Sequence, residues 1–382
     1  MRQQSEIRSG AGHFDRRQAL QTLLGAAFSG VPLSMTCNTL DAADAASESS
    51  NAEAPAVRVS SVRRAFHNGE HNAFTDLCRF GDHLYLTFRS CPDGHMVHPT
   101  ASIIVLRSSD GEQWQQVHRF SVRDRDTRDP HFLVFQGRLL VITGTWYSGP
   151  TTLPREDYDL NKHLGYAAWT DDGDDWHSPV LLEGTFGHYV WRAAAHGDRA
   201  YLCGRRKPGF EVLAPGEPRE TESLMLESED GIVWRKRAVF QSERGDETAF
   251  VFEEDGSVIA VARTFGNQEA QLLRAAPPYD RFERNGLGRA IGGPLLARWG
   301  SRLVVGGRKT FPNQPPKAFL AWLIDGELKE FAELPSGGDC SYPGLAPLSE
   351  TRSLVSWYSS HERDADGRPL TAIYLAELEL QP

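Results

Sequence analysis

Cysteine is scarce in this chain, with five in 382 residues, and only Cys78, Cys91, Cys203 and Cys340 fall beyond the first 56. Their spacings match no zinc motif, and they are too few to frame a disulfide fold of this length. Buried free thiols are expected. Long hydrophobic runs are missing as well. The mildly apolar stretch from Ala19 to Leu33 is too short to span a bilayer, so no membrane span is expected. A basic excess is also lacking: Lys and Arg total 41 against 51 Asp and Glu, a formal net charge of −10. That excludes the broad basic footprint of a nucleic-acid binder. No long segment carries a 3.6-residue apolar period, which excludes a helical fold. No metal-ligand spacing or nucleotide-binding signature occurs, so no metal or cofactor is expected.

The N-terminal residues read as an export signal, residues 1–40. Phe14-Asp15-Arg16-Arg17-Gln18-Ala19-Leu20 sets two arginines before the apolar run, and Ala43-Asp44-Ala45 offers a small-residue cleavage site. The arginine pair points to the twin-arginine route and to a periplasmic or extracellular protein. Residues 41–56, rich in Ala, Ser, Asp and Glu, read as a disordered linker. The folded part is expected over residues 57–382.

What remains is repetitive. Ser108-Ser109-Asp110-Gly111-Glu112-Gln113-Trp114, Thr170-Asp171-Asp172-Gly173-Asp174-Asp175-Trp176 and Ser228-Glu229-Asp230-Gly231-Ile232-Val233-Trp234 share one pattern, with aspartates 62 and 58 residues apart. Each follows a short apolar run, and Asp-Gly after a strand is a hairpin turn. A broader unit of strand, turn and return strand recurs with turns near Gly81, Gly137, Gly197, Gly256, Gly300 and Ser349, spaced by 56, 60, 59, 44 and 49 residues. Six units of about 54 residues, each a four-stranded sheet, describe an all-β, six-bladed β-propeller. The last unit is short. Thr371 to Leu380 supplies its third strand, and Val57 to Phe66 supplies the fourth, closing the ring and removing an open edge.

The three Asp-Gly-Trp segments resemble the Asp-box of the sialidase-like propeller superfamily, Ser-x-Asp-x-Gly-x-x-Trp, with one residue fewer between Asp and Gly. The resemblance covers residues 57–382. It implies that Asp110, Asp172 and Asp230 are structural elements of outer turns.

Loops on one face of a propeller carry its ligands. Counting from the turns places Asp76, Asp129, Arg192, Glu247, Gly293 and Tyr342 at the starts of the inner strands, with Arg128 beside Asp129. The same count places Arg89, Trp146, Arg205, Arg263 and Arg308 at the ends of the second strands, with His361 and Glu362 slightly later in blade 6. Arginine at one phase points to a site for carboxylate, sulfate or phosphate. The alternative is that each arginine pairs with a nearby carboxylate and shapes the rim. In chain order, Glu247, Arg263, Arg308 and Tyr342 match the Glu, Arg, Arg, Tyr order of sialidases. The resemblance therefore implies a Tyr342 nucleophile activated by Glu247. The family's Phe-Arg-Ile-Pro is replaced by Phe74-Thr75-Asp76-Leu77, so Arg89 or Arg128 must stand in for its arginine. The general acid is left open among Asp76, Asp129, His95 and His98, the last two lying in Asp93-Gly94-His95-Met96-Val97-His98. The function expected is an exo-acting, sialidase-like glycoside hydrolase on a terminal acidic sugar: sialic acid, a uronic acid or a sulfated sugar. A non-catalytic acidic-glycan-binding propeller and a polysaccharide lyase acting on a uronic acid are the alternatives. A monomer is expected.

Overall fold

The structure, a computed structural model, describes residues 54–210, 220–311 and 313–381. The export signal with Arg16 and Arg17, the cleavage site and the linker up to residue 53 lie outside the described residues. Alternating apolar residues in the repeated units form short strands, and these pair into six antiparallel four-stranded sheets around one axis. Each sheet is one blade of a six-bladed β-propeller. No α-helix occurs among the described residues, only three single-turn 3₁₀ segments. No helix there is long and apolar enough to cross a membrane.

The inner strands of blades 1 to 6 are His71–Phe80, Arg125–Phe135, Tyr189–His196, Gly245–Phe252, Ala290–Trp299 and Cys340–Pro347. Each turns at the expected position and returns as the second strand. Gly81, Gly137, Gly197, Gly256 and Gly300 all have positive φ in these hairpins, where a Cβ would be strained. The ring closes as a mixed blade. Val57–Phe66 pairs antiparallel with Pro369–Leu380, Val57 opposite Leu380 and Phe66 opposite Ile373. The two ends of the described chain thus share one sheet, with Val57–Phe66 as its outermost strand. Apolar side chains from facing blades fill the spaces between them, Trp299, Trp322 and Trp357 being nearly fully buried.

The three Asp-Gly-Trp segments are the hairpins between third and fourth strands of blades 1, 2 and 3. Asp110 Oδ1 accepts from the backbone N–H groups of Glu112 and Gln113, and the hydroxyl of Ser108 accepts from Gly111 N–H. Asp172 and Asp230 repeat this arrangement. The turns also tie blades together: Arg107 of blade 1 donates to the Gly173 carbonyl at 3.1 Å in the turn of blade 2. They lie toward the outside of the ring, between the third and fourth strands of their blades.

One irregularity recurs in every blade. The register of the inner strand against its neighbour breaks between residues 73 and 76, 128 and 131, 190 and 193, 245 and 248, 292 and 295, and 341 and 344. A β-bulge at the same point of six strands re-aims two residues per blade. Those pairs are Phe74-Thr75, Asp129-Pro130, Trp191-Arg192, Asp246-Glu247, Gly293-Pro294 and Tyr342-Pro343.

Candidate active site at the channel mouth

The six bulges build the site. Phe74, Asp129, Gly293 and Tyr342 take positive φ of 64°, 52°, 58° and 50°. For the three non-glycine residues this costs about 1–3 kcal/mol each, strain that is held in place by the surrounding sheet and that clusters at functional sites. Of the bulge residues, Asp129, Glu247 and Tyr342 come from blades 2, 4 and 6. Phe74, Trp191 and Gly293 come from the blades between.

Tyr342 is buried, and its hydroxyl donates to Glu247 Oε1. The other oxygen of Glu247 accepts from Gly293 N–H at 2.6 Å and faces Arg263 at 3.1 Å. Burial alone would raise the Glu247 carboxyl, but Arg263, the Tyr342 hydroxyl and Gly293 N–H together hold it below its usual range. Burial, with the charges of Asp129 and Glu247, pushes the Tyr342 phenol well above its ordinary value. The resting pair is therefore a protonated phenol on an ionised carboxylate. Gly293 is required here: a Cβ on it would lie 2.6 Å from the Tyr342 ring.

Asp129 Oδ2 accepts from the Tyr189 hydroxyl and, at 3.1 Å, from Trp191 Nε1, while Oδ1 is buried with no partner among the described residues. Burial raises this carboxyl; Arg128 and the Tyr189 bond oppose it, and Glu247 adds to it. The net result is a pKa of about 6, the range in which a carboxylic acid can give up a proton near neutral pH.

The arginines are largely neutralised by carboxylates. Arg89 is fully buried and grips both oxygens of Asp126, at 3.0 and 3.1 Å. Arg128 holds the same carboxylate and the carbonyls of His95 and Met96. Arg192 crosses the channel, donating to Asp76 Oδ1 at 2.7 Å, Pro343 O at 2.7 Å and Pro294 O at 3.2 Å, and so links blade 3 to blades 1, 5 and 6. Arg205 pairs with Asp246 at 2.8 Å and lies over the Trp191 ring. Of Arg89, Arg128, Arg192, Arg205, Arg263 and Arg308, only Arg308 has no carboxylate partner among the described residues. It is half-buried beside Gly292 and donates to the Cys340 carbonyl. These six guanidinium groups against Asp76, Asp126, Asp129, Asp246 and Glu247 leave one net positive charge, or two when Asp129 is protonated.

Three expectations from the sequence are corrected. Arg89 faces no ligand, because its guanidinium is sealed beneath the loop that follows its strand. Asp76 is not a proton donor: burial raises its carboxyl, but Arg192, His131 and the Phe132 N–H overcome this and bring it to about 2. Trp146 stays partly exposed while packing on Tyr158, His163 and Tyr189. His361 is exposed on blade 6, bonded to Ser359 Oγ and packed on Tyr374, and makes no contact with the Tyr342 group. His95 lies on a mouth loop against Asp339 and the Phe74 ring. His98 bonds Thr152 instead.

Tyr189, Trp191, Asp246 and Asp126 were not read from the sequence. Asp246 directly precedes Glu247, and Asp126 lies two residues before Arg128; acidic neighbours of the counted positions were the available signal. The mouth loops also carry Tyr147, Phe186, Phe265 and Phe311, all substantially exposed.

No protein-family model and no curated protein matches the chain. Among solved structures it is similar to a protein of unknown function from Dyadobacter fermentans, at 20% identity over 86% of this chain and 100% of that one, TM-score 0.70. It is also similar to the Hadza microbial sialidase Hz136, at 12% identity over 81% of this chain and 66% of that one, TM-score 0.61. The Trypanosoma rangeli sialidase in complex with sialic acid is similar at 12% identity over 86% of this chain and 59% of that one, TM-score 0.56. The chain thus spans 59–66% of the length of the two sialidases. At these identities the likeness is one of fold: this chain has the six-bladed propeller that sialidases have.

Proposed function

We propose that the chain is an exported, sialidase-like glycoside hydrolase that removes a terminal acidic sugar. The observation that carries this reading is the Tyr342–Glu247 pair at the channel mouth, with Arg263 on the second carboxylate oxygen. A neutral phenol attacking an anomeric carbon avoids bringing a second negative charge to an anionic sugar. As the Tyr342 oxygen bonds to that carbon, its proton passes to Glu247. Asp129, protonated in part near neutral pH, gives its proton to the departing glycosidic oxygen. Water then attacks the glycosyl–tyrosine bond, loses a proton to the Asp129 carboxylate, and Glu247 returns its proton to the phenolate. Arg308 and the exposed edge of Arg263 are the groups free to receive the sugar's anion. Tyr147, Phe186, Phe265 and Phe311 offer flat apolar surfaces to further sugar rings.

The neutralisation of most arginines by carboxylates favours a second reading, a propeller that binds acidic glycans without cleaving them. One variant compared with the wild type separates the two. Tyr342→Phe is expected to keep affinity for an acidic glycan but lose turnover by at least about a hundredfold, since only the transition state uses the hydroxyl. Release assays with acidic aryl glycosides and their neutral analogues check this. Binding with no release by the wild type selects the second reading; full turnover by Tyr342→Phe ends the tyrosine mechanism.

A further inference from the structure

Blade 1 and blade 6 meet at the mouth through a second group of side chains. His71 opens the inner strand of blade 1, His95 lies on the loop after that blade's second strand, and Asp339 immediately precedes the inner strand of blade 6. Asp339 Oδ2 lies 3.0 Å from His71 Nε2 and 2.7 Å from His95 Nδ1, and all three atoms lie within 4.8 Å of one another. We propose that these three atoms form a binding site for a divalent cation of the zinc class, clasping blade 1 to blade 6 beside the channel mouth.

Three observations support it. Two imidazoles and one carboxylate are the donor set that borderline cations take, whereas calcium and magnesium take oxygen alone. A tetrahedral cation about 2.0–2.2 Å from each donor sets neighbouring donors roughly 3.3–3.6 Å apart, so the two hydrogen-bonded contacts at 3.0 and 2.7 Å need open by less than about 1 Å to admit it. The Tyr358 hydroxyl donates to Asp339 Oδ1 at 2.8 Å, which orients the carboxylate and leaves Oδ2 for the cation, the outer support that bound metals require.

Three protein donors leave a coordination position open. The His95 side chain is 47% exposed, so that position faces solvent at the mouth. Phe74 packs against both His95, at 5.6 Å between ring centroids, and Tyr342, at 5.0 Å. An oxygen held by the cation therefore lies one ring away from the phenol. The site does not depend on the glycosidase reading, and cation binding is measurable without any sugar.

The test uses the purified folded chain, stripped with a chelator and titrated with Zn²⁺ alone by calorimetry and thermal denaturation. Co²⁺ absorption spectra report the donor set. Wild type is expected to take up one Zn²⁺ with a rise in Tm. His95→Ala, on an exposed loop, and Asp339→Asn, which keeps shape, are expected to weaken binding by roughly tenfold or more, at least the loss seen when only an outer partner is removed. Unchanged far-ultraviolet dichroism and metal-free Tm show that His95→Ala is folded. Tyr342→Phe is expected to bind Zn²⁺ as wild type does, which keeps failure of this site distinct from failure of the tyrosine mechanism. No uptake by wild type, or undiminished uptake by folded His95→Ala, overturns the proposal.

Discussion

Asp129→Asn isolates the proton on the raised carboxyl of the mouth. The folded-state pKa of about 6 stands above the reference value of 3.8. A raised carboxyl contributes its full stability below pH 3.8 and loses it as pH rises through 6, so at neutral pH the ionised group works against the fold. A shift of about two units corresponds to about 3 kcal/mol. Asparagine has the shape of the protonated acid, and its amide oxygen can still accept from Tyr189 and Trp191. The variant is therefore locked in the state that wild type holds only at low pH. Unfolding entropy of about 2.1 cal/mol/K per residue, over about 330 folded residues, converts 3 kcal/mol into about 4 °C of Tm. Thermal denaturation of both proteins from pH 4 to pH 8 is the assay. A constant offset between the curves reports how the amide packs. The expected result is divergence, with the variant gaining about 4 °C on wild type between pH 4 and pH 8, most of it between pH 4 and pH 6 and little above pH 7. Turnover by wild type should fall as pH rises through 6, where the folded acid loses its proton, and Asp129→Asn should have little turnover at any pH. A gap that does not change with pH would refute the reasoning, because it would mean that Asp129 is ionised across the range.

Gly293→Ala places a methyl group 2.6 Å from the Tyr342 ring at a φ of 58°. It should leave the ring of blades intact yet cut turnover at least about tenfold by displacing the Tyr342–Glu247 pair, and a folded variant with full turnover counts against that pair. In the outer turns, Trp234→Ala should cost about 3–5 kcal/mol because its ring is buried, and Trp114→Ala less because its ring is partly exposed. Glycan affinity should stay unchanged in both; loss of affinity at constant stability would give these turns a binding role. Arg16→Lys with Arg17→Lys should leave precursor in the cytoplasm, and normal processing of that variant would exclude the twin-arginine route.

Much of the fold was legible because it is local. An Asp-Gly pair after an apolar run forms the same hairpin wherever it occurs, since Asp bonds its own backbone and Gly accepts positive φ. The spacing of such turns therefore counted blades, and the shortness of the last unit indicated that Val57–Phe66 completes it. Residues one strand length from a turn share one face for the same reason, which is how Asp129, Glu247, Arg263 and Tyr342 were assembled in advance.

Partners across the ring were not legible. Whether Arg89 meets a ligand or Asp126, and whether Asp76 gives a proton or holds Arg192, depends on the meeting of side chains 37 and 116 residues apart. The bulges that turn Asp129 and Tyr342 inward leave no mark in an alternating pattern. Asp339 lies 268 and 244 residues from His71 and His95, and the three carry no ligand spacing at all. Periodicity and turn chemistry act within a few residues, and the sequence by itself determined the blades and their count. Charge neutralisation and burial act through space, so closure of the ring alone decided which arginines remain available, which carboxyl is raised and where imidazole meets carboxylate.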